Sequence, residues 1–358
     1  MTWLNTFAYA AQKTDRFAES AEHLPLLAAG LMGEAGSVLT ELKKEKREGD
    51  AYPGYRRSKM HEEIGDFLWY FIRLVSVVDK SLIAELETTP GWCGDKRSVS
   101  LFLELGAAVG DVLALVSRKN EASAAELRPS LLRVWSVLTT VSREVQVPLQ
   151  AAAEGNTRKI ESRWPSEHIY AGLFDDDCPE EEQLPRRLDV EFRERARGQQ
   201  RIMILRCNGI NFGDQLTDNI RDPDGYRYHD VFHFAHAVHL GWSPVVRALL
   251  RCKRKSSPKL DEGEDGARAV ILEEAISAIV FSRAKERNFF EGLEHLDYDL
   301  LKTIKEFVQG YEVERVPLWQ WETAILDGYA TFRRLLANRG GRAILDLRTR
   351  QLTYMPSP

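Results

Sequence analysis

The stretch that decides the fold is HEEIGDFLWY, residues 61–70, in which acidic side chains lie among apolar ones at helical spacing. It belongs to a longer run from Lys59 to Val78 whose apolar residues form one broad face. Glu63 and Asp66 are three residues apart and therefore share a side of the predicted helix. The apolar face consists of Ile64, Phe67, Leu68, Phe71, Ile72 and Val75.

A preceding helix is predicted from Leu24 to Lys46, where Leu27, Leu31, Val38 and Leu42 recur at helical spacing. The charge-rich stretch 45–54, which contains Pro53 and Gly54, ends it. Glu34, Ser37 and Glu41 share one face of this helix. We expect the two helices to form an antiparallel pair that brings their carboxylates together.

Converging carboxylates repel each other, and removing them from water costs several kcal/mol apiece unless a cation neutralises them. An all-oxygen ligand set favours Mg²⁺, which Mn²⁺ could replace. The candidate metal ligands are Glu34, Glu41, Glu63 and Asp66, and Glu62 is a candidate for orienting water or a second ion. The alternative is that these acids are solvated surface residues that happen to fall at helical spacing.

The order of the motifs GLMGEAG (30–36), LKKEKR (42–47), EEIGDFLWY (62–70) and NTRKIESRWP (156–165) resembles the MazG-like all-α nucleoside triphosphate pyrophosphohydrolase superfamily. The resemblance covers about residues 6–80 and 150–165. It implies that two helices hold Mg²⁺ against a triphosphate, which is cleaved between its α and β phosphates to a monophosphate and pyrophosphate. It also implies that Asn156, Lys159 and Arg163 face the phosphates. Ser37 departs from the pattern, because the superfamily has an acid at this position.

The composition is that of an ordinary soluble protein. The chain has 358 residues, 44% of them hydrophobic, and a formal charge of −5, which predicts two domains and gives no broad electrostatic reason to expect nucleic acid as a partner. Its four widely spaced cysteines indicate free thiols. We identified no apolar run approaching the roughly 20 residues that span a bilayer, so we expect a cytoplasmic protein without a membrane partner. Members of the superfamily commonly form dimers or tetramers, so homo-oligomerisation stays open.

The predicted fold class is mainly α. A helical-bundle domain is expected over 1–173, a linker or surface strap over 174–187 (FDDDCPEEEQLPRR), and a helical domain with a small antiparallel sheet over 188–358. Further helices are expected in the first domain near 99–119, 123–146 and 156–163, and in the second near 226–240, 244–251, 267–287, 297–309 and 318–338. Strands are expected at 188–194 and 200–207, with a hairpin at 342–354.

Histidines cluster in YRYHDVFHFAHAVHLGW, residues 226–242. His229, Asp230 and His233 have the outline of HExxH with aspartate in place of glutamate, and Glu273 or Glu274 could add a third ligand from another helix. This pattern leaves three interpretations open: a zinc hydrolase, a diverged copy of the acidic two-helix arrangement of the first domain, or a packed helix pair with histidines bonded to carboxylates. Nearby, Arg247, Arg251, Lys253, Arg254 and Lys255 form a basic run that could meet phosphate or RNA.

The sequence thus supports three functions. The first is a Mg²⁺-dependent pyrophosphohydrolase with a nucleoside triphosphate as its substrate. The second is a nucleotide-binding sensor or interaction protein in which Ser37 has weakened catalysis. The third is a zinc hydrolase that uses the histidine cluster of the second domain.

Overall fold

The computed structural model describes residues 2–49, 53–94, 98–118, 123–198 and 200–357. The chain divides into two compact units, Met1–Trp164 and Pro165–Pro358. The predicted fold class is confirmed: the first unit is helical, and the second combines helices with a five-stranded antiparallel sheet.

Unit 1 is a bundle in which α2 packs on α3 and α5, α3 packs on α7, and α5 packs on α6. Its helices are α1 (Trp3–Lys13), α2 (His23–Glu48), α3 (Pro53–Val78), α4 (Leu82–Leu86), α5 (Ser98–Arg118), α6 (Ala124–Glu144) and α7 (Leu149–Arg163).

The two helices predicted to carry the acids are the centre of this bundle. The apolar face of α3 is fully buried, and α2 buries its own residues at spacings of three and four. Because each helix turns its apolar face inward, the acids at the edge of that face are held between neighbouring helices. The buried residues are Leu27, Leu31, Ala35, Val38 and Leu42 on α2, and Ile64, Phe67, Leu68, Phe71, Ile72 and Val75 on α3.

Helix α5 contradicts the expectation that no apolar run approaches the length needed to span a bilayer. The 20 residues Val99–Arg118 are long and apolar enough to cross a membrane by length and composition. In unit 1, however, α5 packs against α2 and α6. Arg133 on α6 donates hydrogen bonds to Glu104 and Asp111, the two acidic residues in the middle of α5. These contacts are typical of a core helix in a bundle.

Unit 2 places five strands in the order β3-β2-β1-β4-β5, all antiparallel. Its elements are β1 (Arg187–Arg197), β2 (Gln200–Cys207), β3 (Ile210–Leu216), α8 (Asp230–Leu240), α9 (Pro244–Leu250), α10 (Pro258–Gly263), α11 (Ala267–Lys285), α12 (Tyr298–Phe307), α13 (Leu318–Asn338), β4 (Gly340–Asp346) and β5 (Gln351–Met355).

Strand β3 is not among the strands that the sequence predicts. It forms a hairpin with β2 through Asn208 and Gly209, which have φ angles of 52° and 78°. Two consecutive positive φ angles are what a two-residue hairpin turn needs, and Asn-Gly is the sequence that adopts them most readily.

Helix α8 is the core of unit 2, and all eleven of its residues are buried. It packs against α13, β4, β5, α9 and α11. Because no side of α8 faces water, each of its histidines and its aspartate needs a polar partner from a neighbouring element.

The acidic segment 174–187 belongs to unit 2, and the units divide at Trp164 instead of at residue 173. The carboxylate of Asp175 is buried and accepts a hydrogen bond of 2.6 Å from Arg247. Arg254, also buried, donates to the carboxylate of Asp265. Two arginines of the basic run thus neutralise buried acids, so they are not part of a surface patch for phosphate or RNA.

Candidate functional site

Three acids from α2 and α3 meet in unit 1. Glu34, Glu63 and Asp66 each present a carboxylate oxygen, and these three atoms lie within 4.8 Å of one another. All three residues are half-buried. The helix pair therefore brings together three of the four acids that the sequence analysis named as metal ligands.

The pKa of Glu34 reflects its burial and the negative charges around it. Burial raises it, and the charges of Asp66 and Glu63 raise it further, to about 7. Glu62 adds to the same repulsion, whereas the ammonium group of Lys159 opposes it. In the absence of a cation, the cluster therefore holds more negative charge than its surroundings compensate.

Helix α7 reaches this cluster through Asp66. The side-chain amide of Asn156 donates a hydrogen bond of 2.7 Å to Asp66 Oδ1, and Lys159 forms an ion pair with the same oxygen. The close approach depends on Gly65, because a Cβ there would lie only 2.7 Å from the carbonyl oxygen of Ala152. Two of the three residues that the superfamily resemblance assigns to phosphate contact thus adjoin the carboxylates.

Asn156 also has an unused acceptor. Its Oδ1 atom is buried and accepts no hydrogen bond within the described parts of the chain. An amide oxygen beside three carboxylates is a hard oxygen donor of the kind that binds Mg²⁺ or its water ligands. The donor set therefore fits a hard divalent cation, with Glu34, Glu63 and Asp66 as the residues that would hold it.

Two predicted residues make other contacts in the structure. Glu41 forms an ion pair of 2.5 Å with Lys44 and is not in the three-carboxylate group. The guanidinium carbon of Arg163 lies 4.3 Å from the ring centroid of Trp164, so this side chain stacks on an indole. Ser37 is half-buried on α2, one turn from Glu34.

Asp15, which no local sequence pattern indicates, links the helices that carry the site. The carboxylate of Asp15, just after α1, accepts hydrogen bonds from Arg73 on α3 (2.9 Å) and contacts the imidazole of His23 on α2 (2.7 Å). It thereby ties three helices together. Asp15 and Arg73 are 58 residues apart, so no local spacing pattern indicates the pair.

Tyr70 on α3 packs on Gly30 of α2, where a Cβ would lie 2.1 Å from the Tyr70 ring. Burial and the charges of Glu34 and Asp66 raise the pKa of Tyr70. Its hydroxyl group therefore lies within electrostatic range of the carboxylate cluster.

Comparison with known proteins assigns the second unit. Residues 169–358 match the family model of the MazG C-terminal domain, which covers more than half of the chain. The chain belongs to this family. No curated protein and no solved structure matches the chain significantly. The match relates the protein to the MazG nucleotide pyrophosphohydrolases, and the carboxylate cluster lies outside the matched residues.

The MazG C-terminal domain contains the second group of candidates. His229, which directly precedes α8, lies within 4.8 Å of His233 on α8 and Glu274 on α11. His229 Nε2 also lies 3.7 Å from Asp230 Oδ1. Burial raises the pKa of Asp230 and lowers the pKa of His229. The residues predicted from the HDxxH pattern are therefore neighbours in space.

Glu273 lies on the inner side of this group and is fully buried. Its carboxylate accepts hydrogen bonds from Ser243 Oγ at 2.9 Å and from the amide of Val245 at 3.0 Å, and His233 Nδ1 and His236 Nδ1 each lie 3.0 Å away. Burial alone would raise the pKa of Glu273, but His233 and His236 lower it to about 2. Burial alone would lower the pKa of His233, but Glu273 and Glu274 raise it to about 10.

Proposed function

We propose that the protein is a Mg²⁺-dependent nucleoside triphosphate pyrophosphohydrolase, which converts a nucleoside or deoxynucleoside triphosphate to its monophosphate and pyrophosphate. The observation that carries the proposal is the convergence of Glu34, Glu63 and Asp66 within 4.8 Å. Relation to the MazG pyrophosphohydrolases through residues 169–358 supports it.

Each residue of the cluster has a role in this proposal. Glu34, Glu63 and Asp66 would hold Mg²⁺, which neutralises phosphate charge and lowers the pKa of an attacking water. Lys159 and the amide of Asn156 border the same carboxylates and orient the phosphates. Glu62, whose charge also reaches Glu34, orients the water that attacks phosphorus.

Turnover of a panel of NTPs and dNTPs with Mg²⁺ or Mn²⁺ tests the proposal, with chromatography that separates monophosphate from diphosphate products. We expect monophosphate and pyrophosphate in equal amounts. The variants Glu63→Gln and Asp66→Asn each remove a metal-binding charge while keeping the side-chain shape. Each should lower kcat/KM at least about 100-fold, because metal charge stabilisation contributes several kcal/mol.

Glu45→Gln is the matched control, since Glu45 is on α2 but pairs with Lys46 at its exposed end. This variant should turn over like the wild type. Diphosphate as the product, or full activity in Asp66→Asn, would contradict the proposal.

Ser37 favours a second candidate function, a nucleotide sensor. A hydroxyl group contributes no charge to the metal site, so nucleotide and Mg²⁺ could bind without rapid cleavage. Calorimetric nucleotide binding combined with no product after prolonged incubation would support the sensor and exclude the enzyme.

A further inference from the structure

The histidine and carboxylate group of the MazG C-terminal domain has the spacing of a metal site. Glu274 Oε2 lies 3.5 Å from His233 Nε2 and 3.8 Å from His229 Nε2. These separations are too long for good hydrogen bonds. They match the distance of about 3.4 Å between two ligands that each lie about 2.1 Å from one tetrahedral ion.

His233 supplies a second observation. Its side chain is fully buried, yet its Nε2 atom makes no hydrogen bond to any residue that the structure describes. A buried polar atom without a partner is costly, and here it points to the space shared with His229 and Glu274.

The second nitrogen of each ring lies close to an oxygen atom on the opposite side from Glu274. His229 Nδ1 lies 2.9 Å from the carbonyl oxygen of Tyr226, whose ring stacks on the imidazole at a centroid distance of 4.4 Å. His233 Nδ1 lies 3.0 Å from Glu273 Oε1. Metal-binding histidines are oriented in this way, with one nitrogen on the ion and the other on a carbonyl or carboxylate.

Access distinguishes this group from the inner triad of His233, His236 and Glu273. The inner triad is fully buried and its carboxylate is occupied by Ser243 and Val245. Glu274, in contrast, has 41% of its side chain exposed, so an ion can enter from solvent and keep a position open for water.

We propose that His229, His233 and Glu274 form a second metal site, which binds a divalent transition metal such as Zn²⁺. Two imidazoles and one carboxylate are the ligand set that favours zinc over Mg²⁺. Asp230 borders the site on the side of His229. The site lies within unit 2 and is independent of the proposed pyrophosphohydrolase centre.

Zinc titration of the full chain, stripped with a chelator, tests this inference. A competing chromophoric chelator measures affinity, and mass spectrometry measures bound metal. We expect His229→Ala and Glu274→Gln each to lose one tightly bound zinc equivalent. Glu274 is partly exposed and His229 is buried, so a thermal melt of each metal-free variant verifies that it folds.

Two controls separate this site from other zinc-binding groups. Glu34→Gln should retain the equivalent, which distinguishes it from zinc at the unit 1 carboxylates. His295→Ala should also retain it, because His295 pairs with Glu322 outside the group. Co²⁺ in the wild type should give the visible absorption of tetrahedral coordination, and Glu274→Gln should lose it. Unchanged zinc stoichiometry in both ligand variants, or no zinc bound to the wild type at micromolar concentration, would overturn the inference.

Discussion

Ser37 lies one turn from Glu34 on the face of α2 that carries the carboxylates. A glutamate at this position would add a fourth acid to the cluster. We expect Ser37→Glu to lower the Mg²⁺ concentration needed for half-maximal turnover by about tenfold, since carboxylate count tunes affinity for hard cations. Magnesium titrations of the initial rate measure this effect.

Ser37→Gln is the control, because it adds similar bulk without charge. If both variants respond alike to Mg²⁺, the gain does not come from an added ligand charge.

Loss of the Asp15 carboxylate should destabilise unit 1. Its side chain is fully buried against Arg73, which is 7% exposed. Asp15→Asn leaves the guanidinium without its counter-charge, and breaking such a pair costs about 3 kcal/mol. Chemical denaturation at neutral pH measures the change in the free energy of unfolding.

The same pair predicts a pH dependence. Burial would raise the pKa of Asp15, but hydrogen bonds from the Phe17 amide, His23 and Arg73 outweigh it and lower the pKa below its usual range. The unfolded chain therefore binds the proton first, at about pH 4. The stabilisation is complete above that pH and disappears as pH falls through the folded-state pKa. The deficit of Asp15→Asn should shrink accordingly, and a constant deficit down to pH 2 would contradict this assignment.

Three of the four acids that residue spacing predicts as metal ligands lie together in the structure. Glu34, Glu63 and Asp66 are close because helical period alone aligns Glu63 with Asp66, and the apolar faces fix the helix pair. Glu41 satisfied the same period but pairs with Lys44. Helical spacing predicts on which face of a helix a residue lies. The length of its side chain and the partners nearby decide where its charge is placed.

At the scale of elements, the contact between α3 and α7 fixes the site. Gly65→Ala would place a methyl group 2.7 Å from the carbonyl oxygen of Ala152 and 3.1 Å from the Cβ of Asn156. We expect α7 to move outward and carry Asn156 and Lys159 away from Asp66. Turnover should fall by up to about 100-fold, as displacements near 1 Å can cause.

Gly36→Ala is the matched control in α2, because a Cβ there meets nothing within 4 Å. It should raise the free energy of unfolding by about 1 kcal/mol, the helix propensity gain of alanine over glycine, and leave turnover unchanged. Equal turnover in both alanine variants would show that the approach of α7 is not needed.

Helices and strands were predictable where apolar residues recur at regular spacing over a long stretch. Helix α13 has the predicted bounds, Leu318–Asn338, and the hairpin at 342–354 appears as β4 and β5. Short elements such as α4 and α10 carry too few periods to be recognised. The β2 to β3 hairpin did have a signal, the Asn208-Gly209 turn, which the sequence analysis did not use.

At the scale of the whole molecule, chain length predicts two units, and the structure divides after Trp164. The acidic stretch 174–187 has the composition of a linker. Composition, however, does not reveal which residues pair with its acids. Asp175 is buried by Arg247, which lies 72 residues further along the chain. Such distant pairs are a property of the folded unit and are not visible in local sequence.

The central position of β1 in the sheet has a consequence for folding. Its neighbour β4 begins at Gly340, and Asp189 pairs with Ile344 across more than 150 residues. Loops of this length make contact order high and strand closure slow. During synthesis, the edge of β1 that pairs with β4 therefore stays unpaired until nearly the entire unit has left the ribosome.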